Sequence, residues 1–138
     1  MLLDTCAVIW LANGDALSRQ AMTAITYASG AEGVLISPIS AWEVGRLSRP
    51  GTRRTAVLQF LPDPQTWFAR VLAGPGIRAV SFTPEIAIDA SFLPGDLHSD
   101  PGDRIIVATA RRLGVPVITR DRQIIAYGTA GHLDVIRC

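Results

Sequence analysis

Residues 1–11, which carry the clearest signal of the fold, read Met1-Leu2-Leu3-Asp4-Thr5-Cys6-Ala7-Val8-Ile9-Trp10-Leu11. It begins with a short apolar run that ends at Asp4, and a second apolar run follows from Ala7. This pattern is typical of a buried β-strand that passes directly into a helix. An acid at such a junction is costly to bury without a partner, so Asp4 is the first candidate for a functional residue.

The same alternation continues along the rest of the chain. Short apolar runs predict further strands at 34–36, 77–82, 115–119 and 134–137. Helices are predicted to begin at capping side chains, most of them followed by proline: Asp15, Ser37-Pro38, Asp63-Pro64, Thr83-Pro84 and Asp100-Pro101. Strands that alternate with helices predict an α/β fold, in which a parallel sheet carries helices on both faces.

Length and composition favour one compact domain over residues 1–138, because 49% of the 138 residues are hydrophobic and 18% are charged. Charges interrupt every apolar run before the roughly 18 to 20 residues that a membrane span needs. The first residues show no basic leader, so we expect a cytoplasmic protein without a membrane partner. The two cysteines, Cys6 and Cys138, are far apart in sequence and are expected to be free thiols.

All 13 basic residues are arginine, and the chain has no lysine. Mechanisms that need a lysine are therefore excluded, among them those of a P-loop NTPase, a Schiff-base enzyme and a response-regulator receiver. The two histidines, His98 and His132, are too few for a three-histidine metal site, and no Ser-His-Asp triad is indicated. The acidic residues remain as the candidates for chemistry.

Four acids are predicted to lie at one edge of the sheet. Asp4 and Asp121 follow predicted strands, while Glu43 and Asp103 lie in the first two turns of predicted helices. In a parallel sheet of this kind, the carboxyl ends of the strands and the amino ends of the helices share one edge, where ligands usually bind. Ionised carboxylates about 5 Å apart repel by about 3 kcal/mol per pair at an effective dielectric constant of about 20.

A divalent cation would offset this repulsion. Mg²⁺ and Mn²⁺ take oxygen ligands, and a few carboxylates plus water commonly hold such an ion. A cation bound there can orient a water molecule, lower its pKa and stabilise charge on a phosphoryl oxygen. The residues themselves therefore predict metal-dependent hydrolysis of a phosphodiester bond.

The acids also have purely structural interpretations. Asp100 is favoured as the N-cap of the helix that begins at Pro101 rather than as a ligand. Asp103 would complement the dipole of that helix, Glu43 would lie on an exposed helix face, and Asp121 would belong to a solvated turn or an N-cap.

Four segments together resemble the PIN-domain nucleases, and specifically the VapC-type toxins of bacterial toxin–antitoxin pairs. They are Leu2-Leu3-Asp4-Thr5, Ser40-Ala41-Trp42-Glu43-Val44, Asp100-Pro101-Gly102-Asp103-Arg104 with the following Ile105-Ile106-Val107-Ala108, and Ile118-Thr119-Arg120-Asp121. Their order and spacing cover nearly the whole chain. The sequence departs from the family pattern at Gly102, where a bulky aromatic residue is common.

The resemblance implies a three-layer α/β/α domain and an endoribonuclease site that depends on Mg²⁺, with Mn²⁺ as an alternative ion. The implied site residues are Asp4, Glu43, Asp103 and Asp121. Asp4 and Asp103 would be the principal metal ligands, and Thr5 and Thr119 match hydroxyl positions that assist by hydrogen bonding. The resemblance further implies an RNA substrate, a homodimer and a cognate antitoxin protein whose tail occupies a groove of the toxin.

Arginines are the candidates for binding RNA phosphates. They are Arg46, Arg49, Arg53 and Arg54 after Glu43, and Arg104 beside Asp103. The run after Glu43 is equally typical of a solvated loop, because Pro50-Gly51 interrupts it. Arg104 has two possible roles, which are binding of a phosphate and tethering of a neighbouring acid.

The remaining ring-bearing side chains are given no part in the chemistry. The aromatic residues expected to be core or interface anchors, rather than base-stacking platforms, are Trp10, Trp42, Trp67 and Phe68. His98 is assigned no role.

Two other classes of protein are alternatives to the nuclease. A non-catalytic module with a PIN-like fold would bind RNA or a protein without metal-dependent turnover. A haloacid-dehalogenase-like phosphatase also places an aspartate after its first strand. It requires a second aspartate two residues later, where this chain has Cys6.

Overall fold

The computed structural model describes residues 1–49 and 58–138. Over these residues the chain forms five strands and seven helices. The strands are β1 (Leu2–Leu3), β2 (Val34–Ile36), β3 (Ile77–Ala79), β4 (Val117–Thr119) and β5 (Val135–Arg137). The helices are α1 (Thr5–Asn13), α2 (Arg19–Ser29), α3 (Pro38–Leu47), α4 (Pro64–Leu72), α5 (Pro84–Ser91), α6 (Pro101–Leu113) and α7 (Arg122–Thr129).

The five strands form one parallel sheet in the order β3-β2-β1-β4-β5. The shortest strand, β1, lies at the centre, where Leu2 is in register with Leu35 on one side and Val117 on the other. The strand order reverses direction at β1, because the chain first adds β2 and β3 on one side and then β4 and β5 on the other. Ligands bind at such switch points, outside the carboxyl ends of the strands.

Side chains of successive strand residues point to opposite faces of this sheet. Leu3 and Ile118 pack into one apolar cluster with residues of α1, α2, α3 and α4. Leu2 and Val117 pack into a second cluster with residues of α6 and α7. The sheet is therefore covered on both faces, and the predicted α/β fold with three layers is confirmed.

The predicted cap-plus-proline starts are confirmed. Ser37, Asp63, Thr83 and Asp100 each cap a helix that begins at the following proline. Each capping side chain accepts a hydrogen bond from a backbone N–H in the first turn, which satisfies a donor that the helix itself leaves unpaired.

Three details of the sequence prediction need correction. The second helix begins at Arg19 with Ser18 as its cap, and not at Asp15, because the Ser18 hydroxyl accepts the Ala21 N–H at 3.1 Å. The strand predicted at 77–82 ends at Ala79. Helix α7 was not predicted, although Asp121 is its N-cap.

The helices in the described parts of the chain are short. None of their helices combines the length and the apolar character that a membrane span requires.

The position of β1 makes its side chains the most sensitive to truncation. Leu3 is 0% exposed, so we expect Leu3→Ala to lower the free energy of unfolding by about 2–5 kcal/mol, through lost burial and a residual cavity. Leu113→Ala is the matched control, because Leu113 is 47% exposed and should cost less than about 1 kcal/mol. Urea titration of both variants measures the difference, and equal costs would contradict the central placement of β1.

Candidate active site

Asp4 lies where β1 ends and α1 begins, and it is only 5% exposed. Its Oδ1 accepts the Ala7 N–H at 2.6 Å, which makes Asp4 the N-cap of α1. Its Oδ2 accepts a hydrogen bond from the Thr119 hydroxyl at the end of β4. The carboxylate thus joins two adjacent strands at their carboxyl ends, and both of its oxygens are engaged.

Glu43 reaches the same region from α3. The Thr5 hydroxyl donates a hydrogen bond to Glu43 Oε2, and Thr5 Oγ1 lies 3.0 Å from the Ser40 hydroxyl oxygen. Ser40 precedes Glu43 by three residues, so both lie on one face of α3. These contacts hold the Glu43 carboxylate next to the start of α1.

Gly102 lets Glu43 approach a second helix. A Cβ at position 102 would lie 2.6 Å from Glu43 Oε1 and 3.2 Å from Asp100 Oδ1. The Glu43 carboxylate therefore packs directly against the first turn of α6, which also carries Asp103. The absence of a side chain at Gly102, where the resembled family commonly has an aromatic residue, is what makes this contact possible.

Asp103 is partly buried in the first turn of α6. The Asp100 carboxylate caps this turn and accepts the N–H groups of Gly102 at 2.9 Å and Asp103 at 3.3 Å. On the other side, His98 Nε2 lies 3.2 Å from Asp103 Oδ2. Asp100 is thus the N-cap that the sequence favoured, and Asp103 projects from the turn that it caps.

Asp121 caps α7 by accepting the N–H groups of Gln123 at 2.8 Å and Ile124 at 3.0 Å. Its own N–H donates to Thr119 Oγ1 at 2.9 Å, and the Thr119 hydroxyl in turn donates to Asp4. Thr119 therefore connects the two acids that follow β1 and β4.

The pKa values of the acids show that they act on one another. The pKa of Asp4 is raised to about 6, first by burial and then by the charges of Asp121 and Glu43, against two hydrogen bonds that lower it. The pKa of Asp103 is raised to about 7 by burial together with the charges of Asp100, Asp121, Glu43 and Asp4. The structure therefore brings the four predicted acids into one electrostatic unit.

Cys6, in the first turn of α1, senses the same negative field. Partial desolvation and the charges of Asp4, Glu43, Asp103 and Asp121 together raise the pKa of its thiol to about 11. Both Cys6 and Cys138 are free thiols, as the sequence predicted.

The donor set suits a hard divalent cation. Among residues 1–49 and 58–138, no three His, Cys, Asp or Glu side chains stand in a ready-made metal-coordinating arrangement. Mg²⁺ does not require one, because it usually binds through one or two carboxylates and keeps several waters. Buried carboxylates with raised pKa values are the groups whose ionised form such a cation would favour.

The arginines predicted to bind RNA do not share one environment. Arg46 is exposed, and its guanidinium carbon lies 4.8 Å from the centre of the Trp42 ring, whereas Arg49 is exposed just after α3. Arg53 and Arg54 lie outside the described residues. Of the aromatic residues expected to be core or interface anchors, Phe68 is buried and Trp67 packs against the same apolar cluster. Trp42 is 49% exposed, so it lies outside the core and stays a predicted interface anchor.

Arg104 contacts backbone carbonyl groups on two segments before α6. Its guanidinium donates to the carbonyl oxygens of Ala90 at 2.8 Å, Leu97 at 3.0 Å, and His98 and Ser91 at 3.4 Å each. Its N–H groups thus hold the loop between α5 and α6, and RNA binding by Arg104 stays a prediction.

Sequence reasoning gave no part in the site to three of its residues. Ser40 stands one helical turn before Glu43 in the quoted motif, and that spacing is a signal for a shared helix face. Gly102 was noted only as a departure from the family pattern. His98 shows no local signal, because its proximity to Asp103 depends on the path of the loop before α6.

An α/β domain with an acidic centre at the carboxyl edge of a parallel sheet is the class that this fold and site define. The PIN domain family model matches residues 1–129, so the chain belongs to the PIN domain family. Ribonuclease VapC22 of Mycobacterium tuberculosis is 32% identical over 125 residues, which are 90% of this chain and 88% of that protein. The resemblance stated from the sequence is confirmed.

Two solved structures share the fold. VapBC2 from Rickettsia felis, bound to a DNA fragment from their promoter, has a TM-score of 0.66 at 13% identity, over 99% of this chain and 96% of that one. A toxin–antitoxin complex from Klebsiella pneumoniae has a TM-score of 0.63 at 22% identity, over 98% and 94% of the two chains.

The raised pKa values predict how the stability of the metal-free protein varies with pH. Asp4 and Asp103 hold their protons more tightly in the folded state, at about 6 and about 7, than at the ordinary value of 3.8. The stabilisation that this provides is complete below the ordinary value and is lost as the pH rises through the folded values. Melting temperatures in EDTA should therefore fall between about pH 4 and about pH 7.

Asp103→Asn should flatten that fall, since the amide does not titrate. Asp15→Asn, an exposed acid outside the site, should leave it unchanged. A melting temperature that rises steadily over this range in the wild-type protein would contradict the buried cluster.

Gly102→Ala tests the contact between Glu43 and α6. The new methyl group would meet the flexible end of the Glu43 side chain at 2.6 Å and the capping Asp100 carboxylate at 3.2 Å. Alanine favours the helix and the Asp100 carboxylate needs to move by only a few tenths of an ångström, so the melting temperature should change little. The displaced carboxylate should weaken Mn²⁺ binding by at least about tenfold, measured by titration calorimetry. Gly45→Ala is the control, because nothing lies within 4 Å of a Cβ there. Equal Mn²⁺ affinities in the two variants would contradict this role of Gly102.

Proposed function

We propose that this chain is a metal-dependent endoribonuclease, the toxin of a VapBC-type toxin–antitoxin pair. The observation that carries the proposal is the burial of Asp4 and Asp103 near Glu43 and Asp121, whose charges raise the pKa of both buried acids. The 32% identity to a protein named a ribonuclease supports RNA as the substrate. An RNA substrate in turn points to the cytoplasm.

Asp4 and Asp103 are proposed as the principal ligands of Mg²⁺, or of Mn²⁺ in its place. Such a cation would polarise the scissile phosphate and lower the pKa of a bound water molecule. Glu43 and Asp121 would orient that water for attack on phosphorus. The water oxygen would form a bond to phosphorus as the bond from phosphorus to the 3′ oxygen breaks. The proton lost by the water balances the proton gained by the leaving 3′ oxygen, and the products would carry a 3′-hydroxyl and a 5′-phosphate.

The hydroxyl groups have the task of holding the carboxylates in place. Thr5 donates to Glu43, and Thr119 donates to Asp4 while it accepts the N–H of Asp121. The Thr5 hydroxyl therefore fixes the direction of the Glu43 carboxylate, and the Thr119 hydroxyl fixes that of Asp4. Neither hydroxyl donates to Asp103 or to the Asp121 carboxylate, which stay free to contact a cation. Arg46, stacked on Trp42 one turn beyond Glu43, is the described arginine best placed to bind the RNA backbone.

Two apolar surfaces suit the proposed protein partners. A cavity of about 480 Å³ opens beside α1, α2 and α4, and is lined by Val8, Leu11, Ile25, Trp67, Val71 and other mainly apolar residues. None of the four acids lines it, so it fits the tail of an antitoxin better than RNA.

For the homodimer, Ile88 and Phe92 of the α5 region are largely exposed and form a surface that a second copy would cover.

The proposal predicts that carboxylate removal stops RNA cleavage without unfolding the protein. Asp4→Asn and Asp103→Asn should each reduce cleavage of a labelled structured RNA by about 100-fold or more, because each removes a negative metal ligand. Asp15→Asn should retain activity. Antitoxin-free protein is assayed in Mg²⁺ and in Mn²⁺, and EDTA should stop the reaction.

The same assay separates the proposal from its alternative. A non-catalytic module would retain RNA in a filter-binding measurement and give no product in either metal. Cleavage that continues at the wild-type rate in both Asn variants would refute the assigned roles.

A further inference from the structure

His98 lies in the loop between α5 and α6, beside the acidic cluster. Its Nδ1 accepts a hydrogen bond from the N–H of Asp100 at 3.3 Å. A ring nitrogen that accepts carries no proton, so the neutral ring has its N–H at Nε2. The backbone of the helix cap therefore fixes the tautomer of His98.

The Nε2 atom is buried and has no hydrogen-bond partner within the described residues. It lies 3.2 Å from Asp103 Oδ2, so the distance suits a hydrogen bond while the alignment of the groups does not. A buried donor without an acceptor is uncommon in proteins, and it points to an interaction that a small rotation completes.

The loop that carries His98 is held in place by the residue after Asp103. Arg104 donates to the carbonyl oxygens of Leu97 and His98, and to those of Ala90 and Ser91 at the end of α5. One guanidinium thus joins three pieces of chain around the first turn of α6. The histidine ring and the Asp103 carboxylate are fixed relative to each other by neighbouring residues of one helix turn.

We propose that His98 is a positioning residue for Asp103, whose Oδ2 it engages through the Nε2–H so that the other carboxylate oxygen is presented to a divalent cation. This inference rests on the proposed function, because it takes Asp103 as a metal ligand. Carboxylates that bind metals are commonly oriented by such hydrogen bonds, and loss of the partner typically weakens metal binding 10- to 100-fold. Asp4 and Glu43 have hydroxyl partners of this kind, and His98 supplies the equivalent for Asp103.

Two variants of His98 separate the function of its two nitrogens. His98→Gln places an amide N–H₂ close to the position of Nε2, whereas the shorter side chain of His98→Asn cannot reach Asp103. The affinity for Mn²⁺, read from the electron paramagnetic resonance signal of the free ion, should fall about tenfold or more in His98→Asn. His98→Gln should recover most of it.

The control is His132→Asn, which changes the other histidine of the chain and should bind Mn²⁺ as the wild type does. His132 stacks on Tyr127, with ring centres 4.8 Å apart, and lies outside the acidic cluster. Cleavage of RNA at saturating Mn²⁺ should be restored toward the wild-type kcat in His98→Asn, with KM for RNA unchanged. Equal Mn²⁺ affinity in His98→Asn and wild type would overturn the proposal. An increase in KM for RNA alone would instead assign His98 to the substrate phosphate and would overturn it as well.

A measurement on the wild-type protein covers the case in which His98→Asn does not fold. Long-range proton–nitrogen NMR spectra distinguish the two imidazole tautomers, and His132→Asn identifies the signals of His98. The proton should be on Nε2, and its exchange with water should slow when Mg²⁺ is added. A proton on Nδ1 would refute the proposal. Absence of both Mn²⁺ binding and cleavage in the wild type would refute the proposed function itself, and this inference with it.

Discussion

The hydrogen bonds of the Asp4 carboxylate, which is buried at the end of the central strand, hold three elements of the fold together. The carboxylate accepts the N–H that starts α1 and the hydroxyl that ends β4, so one side chain ties β1, α1 and β4 together. Removing a carboxylate from water is costly unless it is hydrogen-bonded, and both oxygens of Asp4 are. The same bonds that make its burial tolerable aim it at the switch point of the sheet.

The other acids add to this cost, and the chain contains specific features that let them stand close. Each neighbouring charge raises the pKa of Asp4 and Asp103, so the cluster opposes folding near neutral pH in the absence of a counter-ion. Gly102 removes the side chain that would separate Glu43 from α6. Functional sites in proteins commonly lower the stability of the free protein in this way, and binding of a ligand to the folded state raises it again.

Much of the architecture could be predicted because its signals are local. Buried strands appear as short apolar runs, and a capping side chain followed by proline starts a helix whatever the tertiary context. Helix α7 lacks such a proline, and Ser18 rather than Asp15 caps α2, because several polar residues compete at that turn. The acidic site was predicted from topology, since residues at one edge of a parallel sheet must lie near each other. The proximity of His98 to Asp103 could not be predicted, because it depends on the path of a loop.

The basic residues of the chain are all arginine, and several of them donate hydrogen bonds to backbone carbonyl groups in the folded chain. Arg104 donates to four carbonyl oxygens, Arg111 donates to the carbonyl of His132, and Arg120 stacks on Trp10 while donating to the carbonyls of Ala16 and Cys138. Each guanidinium joins segments distant in sequence, a task for which the planar fork of N–H groups is suited and a single ammonium is not. The N–H groups of these arginines are engaged with the backbone of the protein. Under the proposed function, we expect binding of the RNA backbone to depend on other exposed arginines, of which Arg46 lies three residues after Glu43 and is held against the exposed Trp42 ring.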